Sequence, residues 1–325
     1  MSSIHNKQFV FIIGAPRSGT TWLHAMIAEH PDIAATPQVE QTFFSRYLAN
    51  LVREWEFELF HIEQGNWIQG LPYLWTKEEF NLFVKYFFEK VYLKIFEKKP
   101  DATHVLDKYP DYSHHIDLIK RTIPNAKFVH VIRDGRDVVV SMISATKRIG
   151  FGARNIEAAS DAWKRHVQNA MKAKVYGEKH YLEIRYEELI EHGKLSLPKV
   201  FDFCELDYTN ELINSINDKT IYSSPNPNIT HSERKMNIIW KNKLSLKQKY
   251  IFNNIAGDLL VELGYAKKGW WAESRSQLLV LPLLAKILVV LKRIALASAE
   301  LMGPKLTTRI KEAELTRHFL KRLQY

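Results

Sequence analysis

The stretch Phe9-Val-Phe-Ile-Ile-Gly14-Ala-Pro-Arg17-Ser-Gly19-Thr20-Thr21-Trp-Leu constrains this chain more than any other. Its apolar opening reads as a buried parallel strand. A glycine loop follows, and then an amphipathic stretch that sets Leu23, Met26 and Ile27 on one face. Strand, glycine loop and helix in that order aim free backbone N–H groups and a helix N-terminus at an anion. Gly14 and Gly19 stand five apart, as in G-x-x-x-x-G-K-[ST], yet Thr20 occupies the lysine position. That lysine reaches the β- and γ-phosphates of a magnesium-bound triphosphate. Without it, and with Arg17 inside the loop, the site suits a phosphate-like anion and suits ATP poorly. A plain βα turn needs its glycines for geometry alone. The strand, two glycines, Arg and Thr-Thr pair together favour anion binding over that simpler reading.

Apolar runs alternate with helical patterns along the chain, which predicts an α/β fold with a parallel sheet covered on both faces. Strands are expected at 9–14, 33–36, 103–107, 127–133 and 180–185. Helices are expected at 20–30, 77–98, 111–123, 135–148, 155–176 and 246–263. At 325 residues and 46% hydrophobic, the chain can bury a large core as one elaborated domain. Residues 43–98 read as a helical insertion. The span 43–96 holds sixteen of the 39 aromatic residues, enough for a helical subdomain with its own core and for rings lining an acceptor pocket.

The charge is uneven. Residues 267–325 hold twelve Lys/Arg against four Asp/Glu, a balance of +8, whereas residues 1–266 hold 34 against 32, only +2. A nearly neutral body argues against nucleic-acid binding, and a basic tail argues for an anionic contact there. The single cysteine, Cys204, excludes an internal disulfide and fits a reducing compartment. No apolar segment precedes the first strand, so a cytoplasmic location is expected.

A second chemical stretch is Lys127-Phe-Val-His-Val-Ile-Arg133-Asp-Gly-Arg136-Asp137-Val-Val-Val-Ser141. It reads as a buried strand ending in charge and opening a helix. Arg133 and Ser141 are placed to hold a second phosphate. The alternative is a solvated turn laced with weak surface ion pairs. His104, His114, His115 and His130 read as structural or exposed. His114-His115 has no third ligand at metal spacing, so no metal is assigned.

Taken together, the two stretches resemble the PAPS-dependent sulfotransferases. Gly14 to Thr21 is similar to their 5′-phosphosulfate loop, and Arg133 with Ser141 to their 3′-phosphate motif. Pro37 to Phe44, Leu106 to Tyr112, Ile184 to Leu189 and Ser232 to Lys235 ahead of Trp240-Lys241 resemble further blocks, in order, over roughly 8–265. The resemblance implies PAPS as co-substrate and PAP as product, with no metal. It implies that Arg17, Ser18, Gly19, Thr20, Thr21 and Trp22 cradle the phosphosulfate. Arg133, Ser141, Tyr186, Arg234 and Lys235 would hold the rest of the nucleotide. It also implies Lys108 and Arg17 as charge stabilisers and Glu40 as the base, as in the carbohydrate and protein-tyrosine branch rather than the His-base phenol branch. A carboxylate beside aromatic rings can accept a proton near neutrality, although Glu40 also reads as an exposed residue at a helix start.

The implied reaction moves a sulfuryl group to a hydroxyl or amine of a sugar, lipid or secondary metabolite, a small-molecule or saccharide partner. A P-loop kinase and a non-catalytic PAP-binding or membrane-docking module are the alternatives. In the tail, Leu278 to Leu291 is apolar apart from Pro282 and Lys286, and 305–324 reads as a second basic helix. Residues 274–325 therefore suit either an interfacial membrane helix or packing on the body or a second copy, as in a dimer.

Overall fold

In a computed structural model the described residues are 4–36, 42–150, 152–191, 193–222, 238–272 and 275–301. Five strands form one parallel sheet: β1 Gln8–Ile13, β2 Ile33–Ala35, β3 His104–Lys108, β4 Lys127–Ile132 and β5 Tyr181–Arg185. Their spatial order is β2-β3-β1-β4-β5. The registers Phe9↔Val105 and Ile12↔Val129 put β1 at the centre. Each strand lies within a residue of the apolar run that announced it.

Among the described residues eleven helices connect and flank the sheet: α1 Thr20–Ala28, α2 Ala49–Glu63, α3 Lys77–Phe96, α4 Ile116–Thr122, α5 Gly135–Ile149, α6 Ile156–Met171, α7 Tyr186–Glu191, α8 Gly193–Cys204, α9 Asn210–Tyr222, α10 Trp240–Lys243 and α11 Leu246–Glu262; a further helix, α12 Arg275–Leu301, follows them in the chain. The helix expected at 111–123 is two pieces, a 3₁₀ turn Pro110–His114 and then α4, because His115 leaves helical geometry at φ −127°. Likewise α6 passes into a 3₁₀ turn, Lys172–Tyr176, before its expected end.

Alternation along β1 sorts the core into two layers. Phe9, Phe11 and Ile13 pack on one face with Phe44, Phe88, Tyr92, Tyr112 and Phe128. Val10 and Ile12 pack on the other with Leu23, Met26, Leu106, Val131 and Phe201. The insertion therefore has no separate core: its buried rings join the first face of the sheet, with Phe44 edge-on to Phe11 at 5.6 Å. Within it, Trp55 of α2 stacks on Phe80 of α3 at 4.1 Å. A capping box between Thr76 and Glu79 starts α3. Other rings of the insertion, among them Phe57, Phe60, Tyr73 and Tyr86, are exposed.

The chain divides into two compact units, residues 1–266 and 267–325. In the second unit α12 runs through Pro282 and leaves Leu279, Leu283, Ile287 and Val290 exposed. No helix among the described residues is long and apolar enough to cross a membrane. Residues 305–324, where the second basic helix is expected, lie outside the described residues.

Candidate active site

The carboxyl ends of β1, β3, β4 and β5 meet at the glycine loop, the place where ligands of open parallel sheets bind. Gly14 and Gly19 hold φ values of +141° and +98°, which only glycine adopts without strain. Space is equally restrictive. A Cβ on Gly14 would lie 2.5 Å from the Val131 carbonyl oxygen, and one on Gly19 would lie 2.3 Å from the Tyr186 ring. Arg17 also takes a left-handed φ of +71°. Gly19 caps α1 with no side-chain hydrogen bond, and no acid stands in the first turn. The first N–H groups of α1 and the positive end of its dipole therefore face the loop.

Several side chains converge on this loop. Arg17 donates from Nε to Ser141 Oγ at 3.2 Å. Arg133 donates to the Arg17 carbonyl at 3.1 Å and lies 4.3 Å over the Tyr186 ring. Trp22 meets the same ring edge-on at 6.4 Å. Lys108 donates from Nζ to Thr21 Oγ1 at 3.1 Å. Arg17, Thr21, Trp22, Lys108, Arg133, Ser141 and Tyr186 are thus linked around the loop that Ser18, Gly19 and Thr20 complete. Glu40, Arg234 and Lys235 lie outside the described residues.

Two buried polar atoms of the loop are telling. Ser18 Oγ and Trp22 Nε1 have no hydrogen-bond partner among the described residues. Buried polar atoms are rarely left so, and the deficit costs about 1–3 kcal/mol per group. An anion seated on the α1 N-terminus would lie beside these donors and the two arginines. A sulfated nucleotide end fits this donor set, which offers cations, hydroxyls and amides.

The Arg-Asp-Gly-Arg-Asp segment is not a solvated turn. Asp134, Arg136 and Asp137 are buried. Asp134 Oδ1 accepts from the Arg136 backbone N–H at 2.9 Å, and its Oδ2 pairs with Arg136 Nη2 at 2.6 Å. The Arg136 guanidinium lies 4.0 Å over Trp240. Asp137 Oδ1 accepts from the Trp240 N–H at 2.9 Å. These residues build the turn, which leaves Arg133 and Ser141 to face the loop.

Lys108 is not a loop lysine paired with Asp107 or Asp111. It ends β3 at 2% exposure, pointing to Thr21. Asp107 points the other way, accepting from Tyr92 Oη at 2.5 Å, Tyr112 Oη at 3.1 Å and the Lys108 backbone N–H at 2.8 Å. Burial pushes the Asp107 carboxyl up to about 6. His24, one turn along α1 from Thr20, was not anticipated. Burial and then the Lys108 charge push it down to about 4, so its imidazole is neutral beside the lysine. The spacing of His24 from Thr20 and Thr21 was the sequence signal for it.

The profile of the Sulfotransferase family matches residues 9–210. Protein-tyrosine sulfotransferase A of Caenorhabditis elegans is 28% identical over 210 residues, which are 63% of this chain and 52% of that protein. Protein-tyrosine sulfotransferase 1 of Rattus norvegicus is 32% identical over 167 residues, 50% of this chain and 41% of that one. The chain thus spans about half the length of these curated relatives, or less. Among solved structures, mouse sulfotransferase SULT7A1 complexed with PAP is similar at a TM-score of 0.49 and 17% identity, covering 80% of this chain and 89% of that one.

Proposed function

The chain belongs to the sulfotransferase family, and from that premise we propose that it moves a sulfuryl group from PAPS to an acceptor hydroxyl. The observation that carries this reading is the unsatisfied pair Ser18 Oγ and Trp22 Nε1 beside Arg17, Arg133 and an uncapped helix start. PAPS supplies an activated sulfuryl group whose departure leaves PAP. Gly19, Thr20 and Thr21 offer backbone and hydroxyl donors to the sulfated end, while Arg133 and Ser141 hold the 3′-phosphate. Tyr186 keeps Arg133 in place by stacking. Arg234 and Lys235 complete the nucleotide's hold in this proposal.

Lys108 stands where negative charge develops on the bridging oxygen. Its low exposure strengthens that interaction, because water screens a buried cation little. Arg17 acts with it from the other side of the loop. Glu40 serves as base, taking the acceptor's proton as the oxygen attacks in line.

The names of the relatives support a protein tyrosine as acceptor, ahead of a sugar, lipid or secondary metabolite. A phenol ionises near 10, so a carboxylate base has less to do than with an alcohol. Transfer of labelled sulfate from PAPS to tyrosine peptides tests this. We expect Glu40→Gln to abolish turnover while PAP affinity stays within about twofold. Unchanged turnover removes Glu40 as base, and labelling of sugars or lipids but no peptide removes tyrosine. For the tail, the +8 balance and the exposed leucines of α12 support peripheral contact with an anionic membrane surface.

A further inference from the structure

Three residues distant in sequence meet beside the turn that follows Lys108. Asp111 and His114 lie on the 3₁₀ turn Pro110–His114, and His166 lies in α6. One ligand atom from each falls within 4.8 Å of the others. The His114 and His166 rings are 4.4 Å apart at 63°.

The protons at His166 pose a problem for a cation-free site. His166 Nδ1 faces the Ala162 carbonyl at 2.7 Å. A carbonyl only accepts, so Nδ1 carries the hydrogen. Nε2 then presents its lone pair, in the neutral ring, to Asp111 Oδ1 at 3.1 Å. The Asp111 carboxylate offers only acceptor oxygens. With the ring neutral, two acceptors face each other across 3.1 Å, the His166 side chain being 9% exposed. Either a second proton or a metal ion must lie between them.

The geometry suits the ion. Two donors on one tetrahedral zinc, each about 2.0–2.1 Å away, sit roughly 3.3 Å from each other. The Asp111–His166 pair already has nearly that spacing. The Nδ1 contact to a carbonyl is also the arrangement that orients metal-bound imidazoles. The His114 ring, in contact with that of His166, offers a further nitrogen to the same point. His114 is exposed, so its ring is the one with room to close in. It is met by the Asn169 side-chain nitrogen at 2.6 Å from Nδ1. When Nε2 of His114 takes the ion, Nδ1 carries a proton and the Asn169 amide turns its oxygen to it. Tyr109 bonds to Asp111, His115 lies close enough to feel its charge, and Arg165 acts on His114. Arg165 is itself paired with Asp161 at 2.9 Å, which moderates the positive field.

We propose that Asp111, His114 and His166 form a site for one divalent first-row transition ion, zinc by its preference for imidazole and carboxylate, with water completing the shell. Two histidines and one carboxylate are a sufficient ligand set for such an ion. The ion fastens the turn after β3 onto α6, and so steadies the segment that leaves Lys108. It takes no part in sulfuryl chemistry, and the proposal is independent of the function above. In that site the third ligand, His166, stands 52 residues beyond His114 in the chain.

The test uses the full chain stripped with a chelator. Equilibrium dialysis against Zn²⁺ should load one ion per chain, and Co²⁺ in its place should give visible d–d bands with imidazole ligation. His166→Ala should lose that equivalent and its bands. Asp111→Asn, which keeps size and local hydrogen bonding, should weaken loading at least tenfold with an unchanged circular dichroism spectrum. Zn²⁺ should raise the melting temperature of the parent chain and leave that of His166→Ala unmoved. Equal loading of parent and variants overturns the proposal. So does no loading at all together with a His166 that titrates by NMR as a plain imidazolium paired to Asp111.

Discussion

Asp107 is a carboxylate with no water to rely on, at 0% exposure behind the lysine that faces the loop. Four donors meet it, from Tyr92, Tyr112, Thr36 and the Lys108 backbone, yet burial dominates and lifts it from 3.8 to about 6. The sign of its linkage follows. Below pH 3.8 both folded and unfolded chains hold the proton. Between 3.8 and about 6 the folded chain holds it and the unfolded chain does not. Stability from this group is therefore full at low pH and lost as pH rises through the folded value. A shift of about two units corresponds to roughly 3 kcal/mol, as an order of magnitude. Asp137, also lifted to about 6 by burial, contributes with the same sign. Denaturant titrations at pH 4 and pH 7 should therefore show Asp107→Asn losing less stability on that rise than the parent chain. Identical pH slopes in the two proteins would contradict this assignment.

At the scale of elements, the loop between β1 and α1 is held by backbone shape and by its neighbours together. Gly19→Ala should be destabilising by about 1–3 kcal/mol from φ strain alone, and its Cβ must also displace the Tyr186 ring. Because that ring carries Arg133, PAP affinity should fall at least tenfold. Gly65→Ala is the control: its φ is +70°, but nothing lies within 4 Å of the new Cβ. It should lose some stability and no PAP affinity. A Gly19→Ala chain that binds PAP normally would separate the loop from nucleotide binding.

The glycine loop and the five strands were legible in the sequence because each is written in local spacing. Apolar runs announce strands, and a one-residue shift at the ends changes little. What was not legible depends on long-range packing. Tyr92 reaches Asp107 from fifteen residues away, and His166 reaches Asp111 across 55. The aromatic count of the insertion could not tell a private core from one shared with Phe9 and Phe11. Nor did spacing reveal that Asp134 and Arg136 turn inward on each other, since the same Arg-Asp-Gly-Arg-Asp letters describe a solvated turn.

At the scale of the molecule, chemistry and basic charge belong to different units. The first, 1–266, contains the sheet and the glycine loop and is almost neutral; the second, 267–325, carries most of the excess charge. The full chain should float with vesicles containing anionic lipid, less so at high salt. Deleting 274–325 should abolish flotation and preserve PAP binding. Equal flotation after the deletion rejects the membrane reading, and a concentration-dependent dimer lost on deletion assigns the tail to a second copy.

The central claim is that the glycine loop grips a nucleotide's sulfated or phosphorylated 5′ end without the lysine and magnesium that a triphosphate needs. Isothermal titration of the full chain with PAP, and separately with ATP plus Mg²⁺, tests it most directly. One PAP per chain is expected, weakened at least tenfold by Arg133→Ala, with little heat from ATP plus magnesium. No heat from PAP beside tight binding of magnesium ATP would contradict it.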